Sequence, residues 1–349
     1  MIYAILSLVV SFVITVGRQS AVFGRIRSSL WFFRHFEEKR LIFTLVAILL
    51  AAIALYTSPD VVAIRWISGL AVMLLLSVYL FDFKYIFPEV KTVERAVGHT
   101  LNLESHMNII GVKVDNIAVA YPLDVVVSRH LINDKIGLTP VVVSYCAICR
   151  SGLVFSATAD GEEFYFAVAG VWRRNMIMVD DKTKSLWQQA TGECIYGPHK
   201  GKQLELLSGE NTNWGSWSSQ HPESLYAAKC IEARRGLFSR AFMLKGLEFA
   251  TSRMTPPGFS DLSDLPSRET VFGIHYNGVS KAYPESNLKG MSDFTDTYDF
   301  VEVVLNYDAQ ANYLLATDKG TNKKLIVEKH WWLGWKEFHP ETIIWDKNN

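Results

Sequence analysis

The sequence predicts N-terminal transmembrane α-helices followed by a mainly β globular domain built from two related halves. Three observations carry this reading. Uncharged apolar stretches all precede Asp82, short β-branched runs separated by turn residues follow Glu94, and two ordered sets of matching motifs recur along the chain.

The stretches 1–17, 41–59 and 66–81 contain no charged residue. Crossing the hydrocarbon takes about 17–25 residues, so each sits at the short end of that range, and the third borrows 61–64 past Arg65, which snorkels to the headgroups. The first stretch has no basic segment before it and no small-x-small cleavage site behind it, which favours a retained span over a signal peptide. The second and third read as a helical hairpin. Residues 1–90 are therefore assigned to a membrane region with two or three transmembrane helices, and 91–349 to a β-rich globular domain. The lipid bilayer is the expected partner, with other membrane proteins meeting the helices.

Between the first two spans stand Arg18, Arg25, Arg27, Arg34, Lys39 and Arg40 against Glu37 and Glu38. Excess basic residues mark a cytoplasmic loop, and the hairpin then returns the large domain to the cytoplasmic side. Within that loop, 23–36 mixes arginines with Leu30, Trp31, Phe32, Phe33 and Phe36, the composition of an interfacial amphipathic helix. The whole chain has 35 basic and 35 acidic residues. No net field draws it to nucleic acid, and that class of partner is set aside.

In the globular part, 141–145 is a β-branched run, and 153–158 and 162–168 flank Asp160-Gly161, a strong two-residue hairpin signal. Further strands are expected at 176–179, 185–189, 203–207, 271–275, 301–306 and 312–316, and 251–267, rich in proline, reads as a long connection. The repeat is the more informative feature. Gly111 leads to Ala120-Tyr121-Pro122 with the spacing that takes Gly273 to Ala282-Tyr283-Pro284. Trp214, Trp217, His221, Pro222 and Glu223 recur at the same intervals as Trp332, Trp335, His339, Pro340 and Glu341. These blocks define halves of about 103–229 and 266–345.

All four cysteines, Cys146, Cys149, Cys194 and Cys230, lie outside the apolar stretches. Cys146-Ala147-Ile148-Cys149 directly follows an expected strand. Two intervening residues let both sulfurs turn to one side, for a redox disulfide or for a shared metal. In the register of the repeat these cysteines correspond to Asp308 and Ala311, so such a turn can be built without sulfur. A thioredoxin-like site would open a helix after the strand, whereas 153–158 reads as another strand; this tilts the balance toward zinc or copper. His130, whose counterpart is Ser292, is the first choice for a third ligand, giving Cys146, Cys149 and His130 as the metal site. His221 and His339 recur in both halves and read as turn caps, and the four tryptophans as core. Asp180, Asp181 and Glu193 read as turn carboxylates. No glycine elbow encloses a serine and no glycine-rich phosphate loop is present, so hydrolase and nucleotide chemistry find no support. No catalytic residue or bound organic cofactor is assigned.

Ala120-Tyr121-Pro122, His130-x-x-Asn133-Asp134, Ser144-Tyr145-Cys146-x-x-Cys149, Asp180-x-x-Thr183-x-Ser185-x-Trp187-x-Gln189-x-Thr191-Gly192 and Trp332-x-x-Trp335-x-x-Phe338-His339-Pro340-x-Thr342 together resemble the bacterial family catalogued as domain of unknown function 3179. The resemblance implies no particular activity, with the cysteine pair as the suspected site. Relatives typically carry Pro-Leu between the cysteines, where this chain has Ala147-Ile148, and an acidic residue where it has Leu131. The resemblance implies a bacterial inner-membrane location; exported relatives set an exported domain against the cytoplasmic one that the charges favour. The expected function is that of a membrane-anchored protein with a metal-binding thiol site. The alternatives are a thiol–disulfide oxidoreductase and a non-catalytic interaction or assembly module.

Overall fold

The computed structural model describes residues 1–23, 27–80, 82–253 and 264–347. The chain divides into two compact units, Met1–Ile86 with Gly170–Arg173, and Phe87–Ala169 with Arg174–Asn349.

The first unit consists of helices Ile2–Phe23, Arg27–Glu38, Arg40–Thr57, Val62–Leu80 and Phe83–Ile86. Two of them, Arg40–Thr57 and Val62–Leu80, are long and apolar enough to cross a membrane, and Ile2–Gly17 is a shorter apolar segment. Their packing is inside out relative to a water-soluble bundle. Small residues line the contacts: Ala4, Ser7 and Ser11 on the first helix, Ala47, Ala51 and Ala54 on the third, and Ser68 and Ala71 on the fourth are buried. Leu45, Leu49, Trp66 and Met73 point outward. Small faces let backbones approach without a hydrophobic driving force. The Ser7 hydroxyl accordingly donates to the Ala47 carbonyl at 2.8 Å. The amphipathic segment expected at 23–36 is helical over Arg27–Glu38, with Leu30 and Phe33 buried and Trp31 and Phe32 exposed; residues 24–26 lie outside the described residues.

The second unit is built on a nine-stranded sheet in the order Leu206–Leu207, Ser151–Ser156, Thr139–Cys146, Leu131–Ile136, Val90–Val97, Leu225–Glu232, Ile117–Pro122, Asn108–Val114, Gly209–Asn213. It curls into a nearly closed barrel. Its last strand returns to the second, where the Asn211 amide donates to the Gly152 carbonyl at 2.9 Å. Alternation explains the curl and the core together. Ile110, Val112, Val119, Tyr121, Ile132, Val141, Val143 and Val154 turn to one side and form a single buried cluster. Beside this sheet, Asn175–Asp180, Leu186–Gln188 and Cys194–Tyr196 pair antiparallel. Toward the C-terminus, Glu328–Trp331, Thr270–Tyr276, Val279–Pro284 and Ile343–Ile344 form a four-stranded sheet, and Asp293–Tyr298, Val301–Asp308 and Tyr313–Asp318 a three-stranded one.

Most expected strands are present. Asp160-Gly161 forms its tight turn, with φ of 53° and 79°, but the hairpin beside it is short, Thr158–Ala159 against Glu162–Glu163. The expected strand 203–207 is reduced to Leu206–Leu207. The connection expected at 251–267 starts inside a helix, Arg240–Arg253, and 254–263 lie outside the described residues.

The recurring motifs have a packing explanation. Trp217, on the short helix Trp214–Gln220, lies flat on Gly111, where an added Cβ would be 2.4 Å from the indole; Trp335, on Trp332–Phe338, lies on Gly273, where it would be 2.3 Å away. Only glycine allows either approach. Each indole N–H is satisfied a turn later, Trp217 by the Ser224 hydroxyl at 2.7 Å and Trp335 by the Thr342 hydroxyl at 2.9 Å. The tyrosines after the glycines donate to carboxylates, Tyr121 to Asp134 at 2.6 Å and Tyr283 to Asp296 at 2.8 Å. His221 and His339 end the two helices, their amides bonded to the Trp217 and Trp335 carbonyls at 2.9 Å, as the turn-cap reading expected.

Candidate functional site

Cys146 is the last residue of strand Thr139–Cys146 and pairs with Ser151, the first of Ser151–Ser156. Ala147, Ile148, Cys149 and Arg150 make the turn between them, and Arg150 closes it in the left-handed region at φ 50°. The pair therefore lies in a β-hairpin turn, not at the head of a helix. The turn folds Cys149 back over Cys146, with the two Sγ atoms 3.3 Å apart. Both are free thiols, 1% and 0% exposed.

Their environments differ. Burial alone would push the Cys146 thiol up, but hydrogen bonds to its sulfur from the Cys149 thiol and from the backbone N–H groups of Cys149, Met176 and Ile148 outweigh this and hold it below its ordinary value. Cys149 is driven the other way, first by burial and then by its hydrogen bond to Cys146. The Arg174 carbonyl lies 3.0 Å from the Cys149 sulfur, so the single S–H of Cys149 is shared between that oxygen and Cys146. Cys146 is thus the more acidic thiol of the pair and Cys149 the less acidic. Burial raises Cys194 and Cys230 to about 11, the inert condition of packed cysteines.

An uncharged polar network supports Cys149. The Asn175 amide donates to its sulfur at 3.4 Å and to Gln189 Oε1 at 2.8 Å. Gln189 in turn donates to the Ser144 hydroxyl at 3.2 Å and accepts from Ser151 at 3.2 Å. All four are fully buried or nearly so. Such a network is costly unless each member is paired, and here it fixes a donor on the sulfur. From the C-terminal sheet, the Trp331 amide donates to the Cys149 carbonyl at 2.7 Å. Gly334 of the following helix packs directly on Cys149; a Cβ there would lie 2.5 Å from the cysteine's own Cβ.

His130 is held by its own set of contacts. It ends the helix Leu123–Arg129 at φ 67°, its amide bonded to the Val126 carbonyl at 2.7 Å. Its Nδ1 bonds the Val127 carbonyl at 2.8 Å, and its ring packs 4.1 Å from Phe87. Its backbone carbonyl accepts from the Tyr145 amide at 2.8 Å, so it braces the cysteine strand. Among the described residues, no group of three or more His, Cys, Asp or Glu side chains is placed to hold a metal. Asp180 is a turn former, as expected. It accepts from the Thr183 and Lys184 amides and from the Trp187 indole at 3.0 Å.

Burial lowers His130 from 6.5 to about 4. Between those values the unfolded chain binds a proton that the folded chain does not, so this ring's contribution is full above about 6.5 and is lost as pH falls toward 4. The expected loss by about pH 5 is roughly 2 kcal/mol. His130→Asn accepts the left-handed conformation and cannot titrate, so its urea-unfolding free energy should fall less between pH 7 and 5 than that of the wild type. An unchanged pH slope would refute the assignment.

Asn175, Gln189 and Gly334 join the site without having been singled out as functional in the sequence. The only trace was that Gln189 stands in the Trp187-x-Gln189-x-Thr191-Gly192 motif. No curated protein and no solved structure matches this chain. The profile described as Protein of unknown function (DUF3179) matches residues 85–342, which include the thiol turn, its polar support and both glycine–tryptophan contacts. On that match the chain belongs to the DUF3179 family.

Proposed function

We propose that this protein is a membrane-anchored thiol–disulfide redox protein in which Cys146 is the nucleophile and Cys149 the resolving thiol. The observation that carries the reading is the 3.3 Å Sγ–Sγ approach with donors concentrated on Cys146. The Cys146 thiolate attacks a disulfide of a partner molecule and forms a mixed disulfide. The partner's other sulfur leaves as a thiolate and takes up a proton. Cys149 then gives up its proton and attacks the Cys146 sulfur, which releases the second partner thiol and leaves Cys146 and Cys149 joined. Two electrons pass from the pair to the partner disulfide. Asn175 supports the second step, since its N–H stabilises charge forming on Cys149. Because both sulfurs are buried, exchange requires Gly334 and its helix to move aside.

The test is a redox titration of the full chain against glutathione, followed by thiol counting and mass. The expected result is one reversible two-electron transition confined to Cys146 and Cys149. A pair that stays reduced throughout would overturn the reading.

A second reading, the zinc or copper site, retains one supporting observation: a buried turn that stabilises a thiolate suits a soft metal. Zinc sites ordinarily take at least three protein ligands, so two-coordinate copper(I) is the form these two sulfurs serve. Stoichiometric copper that blocks alkylation of both cysteines would favour it.

Two related halves, about 103–229 and 266–345, form the frame of this reading. The paired glycine–tryptophan contacts, the tyrosine–aspartate bonds and the Tyr145 and Tyr307 amides, which bond the carbonyls of His130 and Ser292, support it. The thiol pair is then an addition to one half. The small-residue contacts of the first unit support insertion in a bilayer, and the basic loop supports a cytoplasmic domain. A reporter fused after Asn349 should be active inside the cytoplasm; activity outside alone would reverse the orientation.

A further inference from the structure

The helix Arg240–Arg253 packs on the domain through Met243, which is buried, and Leu247, which touches the barrel core. Its opposite side is unusual for a water-facing helix. Phe242 and Phe249, two turns apart, point outward and are 58% and 56% exposed. Phe238 stacks on Phe242 at 5.0 Å, and Leu237 beside it is 46% exposed. At the helical repeat of about 100° per residue, Lys245 and Arg253 fall on either flank of the phenylalanines. Arg253 extends over the Phe249 ring at 4.8 Å. Single exposed apolar residues need no explanation, but aromatic rings flanked by cations form the outer face of an interfacial helix.

We infer that this face of Arg240–Arg253 docks on the surface of a bilayer containing anionic phospholipid, as a peripheral contact separate from the apolar helices. Charge selects the occupant. Lys245 and Arg253 complement phosphate headgroups, while the rings enter the headgroup boundary. The tether supplies the concentration. A domain joined by residues 81–86 to a helix long and apolar enough to cross a membrane would meet that surface as an intramolecular event, so weak contacts suffice. The inference is independent of the cysteine chemistry.

The test uses the full chain, one copy per nanodisc, in phosphatidylcholine with or without phosphatidylserine, read by amide hydrogen exchange over 240–253. Exchange should slow only with phosphatidylserine and return on raising salt. Lys245→Glu with Arg253→Glu should lower the docked-to-free ratio by at least roughly 30-fold, two basic residues at about 1 kcal/mol each. Phe242→Ser with Phe249→Ser should abolish the protection while lowering the melting temperature by only a small amount, since both rings lie largely outside the core. Equal exchange in the two lipids would overturn the inference. So would protection that needs two copies per disc, because that would make the face a contact between chains.

Discussion

Trp335→Ala is expected to destabilise the globular unit by about 3–5 kcal/mol, the range for removing a fully buried large aromatic side chain. The indole is completely buried, stacks on His339 at 3.8 Å, donates to Thr342 and covers Gly273. It also seats the helix whose Gly334 covers Cys149. Urea unfolding should therefore show the stability loss, and alkylation of Cys146 under native conditions should accelerate. Trp217→Ala provides the comparison. It removes an equivalent contact, on Gly111, with a similar loss, yet its helix does not cover the thiols. Equal acceleration in both variants would refute the covering role of the second helix. The glycine contact can be isolated by a double-mutant cycle. Gly273→Ala should cost about 1–3 kcal/mol in the wild type through overpacking. Much less should be lost once Trp335 is alanine, because the clashing ring is gone.

Cys146→Ser is expected to abolish thiol exchange, whereas Cys149→Ser should accumulate a stable mixed disulfide at Cys146. The asymmetry follows from the donors on the two sulfurs. Cys146 is the more acidic thiol and attacks first; without Cys149 nothing resolves the product. Incubation with a glutathione disulfide and mass analysis of the trapped species distinguish the roles. A mixed disulfide on Cys149 in the Cys146→Ser chain, formed as fast as the converse, would reverse them. Replacing both by serine should cost under about 2 kcal/mol, the range of modest substitutions. The strand pair Val301–Asp308 and Tyr313–Asp318 builds a comparable turn at Asp308, whose carboxylate accepts from the Gln310 and Ala311 amides at 2.9 Å. Loss of Cys146 should also remove a pH dependence. Its folded value lies below the unfolded one, so its contribution is present above the unfolded value and disappears as pH falls through the folded one.

The parts of this fold that were legible along the chain are those governed by local pattern. Apolar runs without charge, β-branched strands and the Asp160-Gly161 turn depend on near neighbours. So does the spacing of tryptophan, histidine and proline, because each short helix and its closing turn occupy one continuous segment. The helix Arg240–Arg253 escaped the same reasoning. Its inward residues, Met243 and Leu247, are matched by Phe242 and Phe249 facing out, so no single stripe marks it.

The candidate site divides in the same way. Cys146 and Cys149 are brought together by two intervening residues, which the sequence alone specifies. It also determined the apolar helices, the predominance of strands and the glycines that recur opposite tryptophans. Tertiary structure alone decided the rest. His130 caps its helix in the left-handed region with its ring against Phe87, a placement that its residue type did not reveal. Asn175, Gln189 and Gly334 reach the sulfurs from segments distant in sequence. The physical reason is that a thiol's reactivity is set by the donors, charges and burial around its sulfur, and those arrive only when separate strands and helices converge.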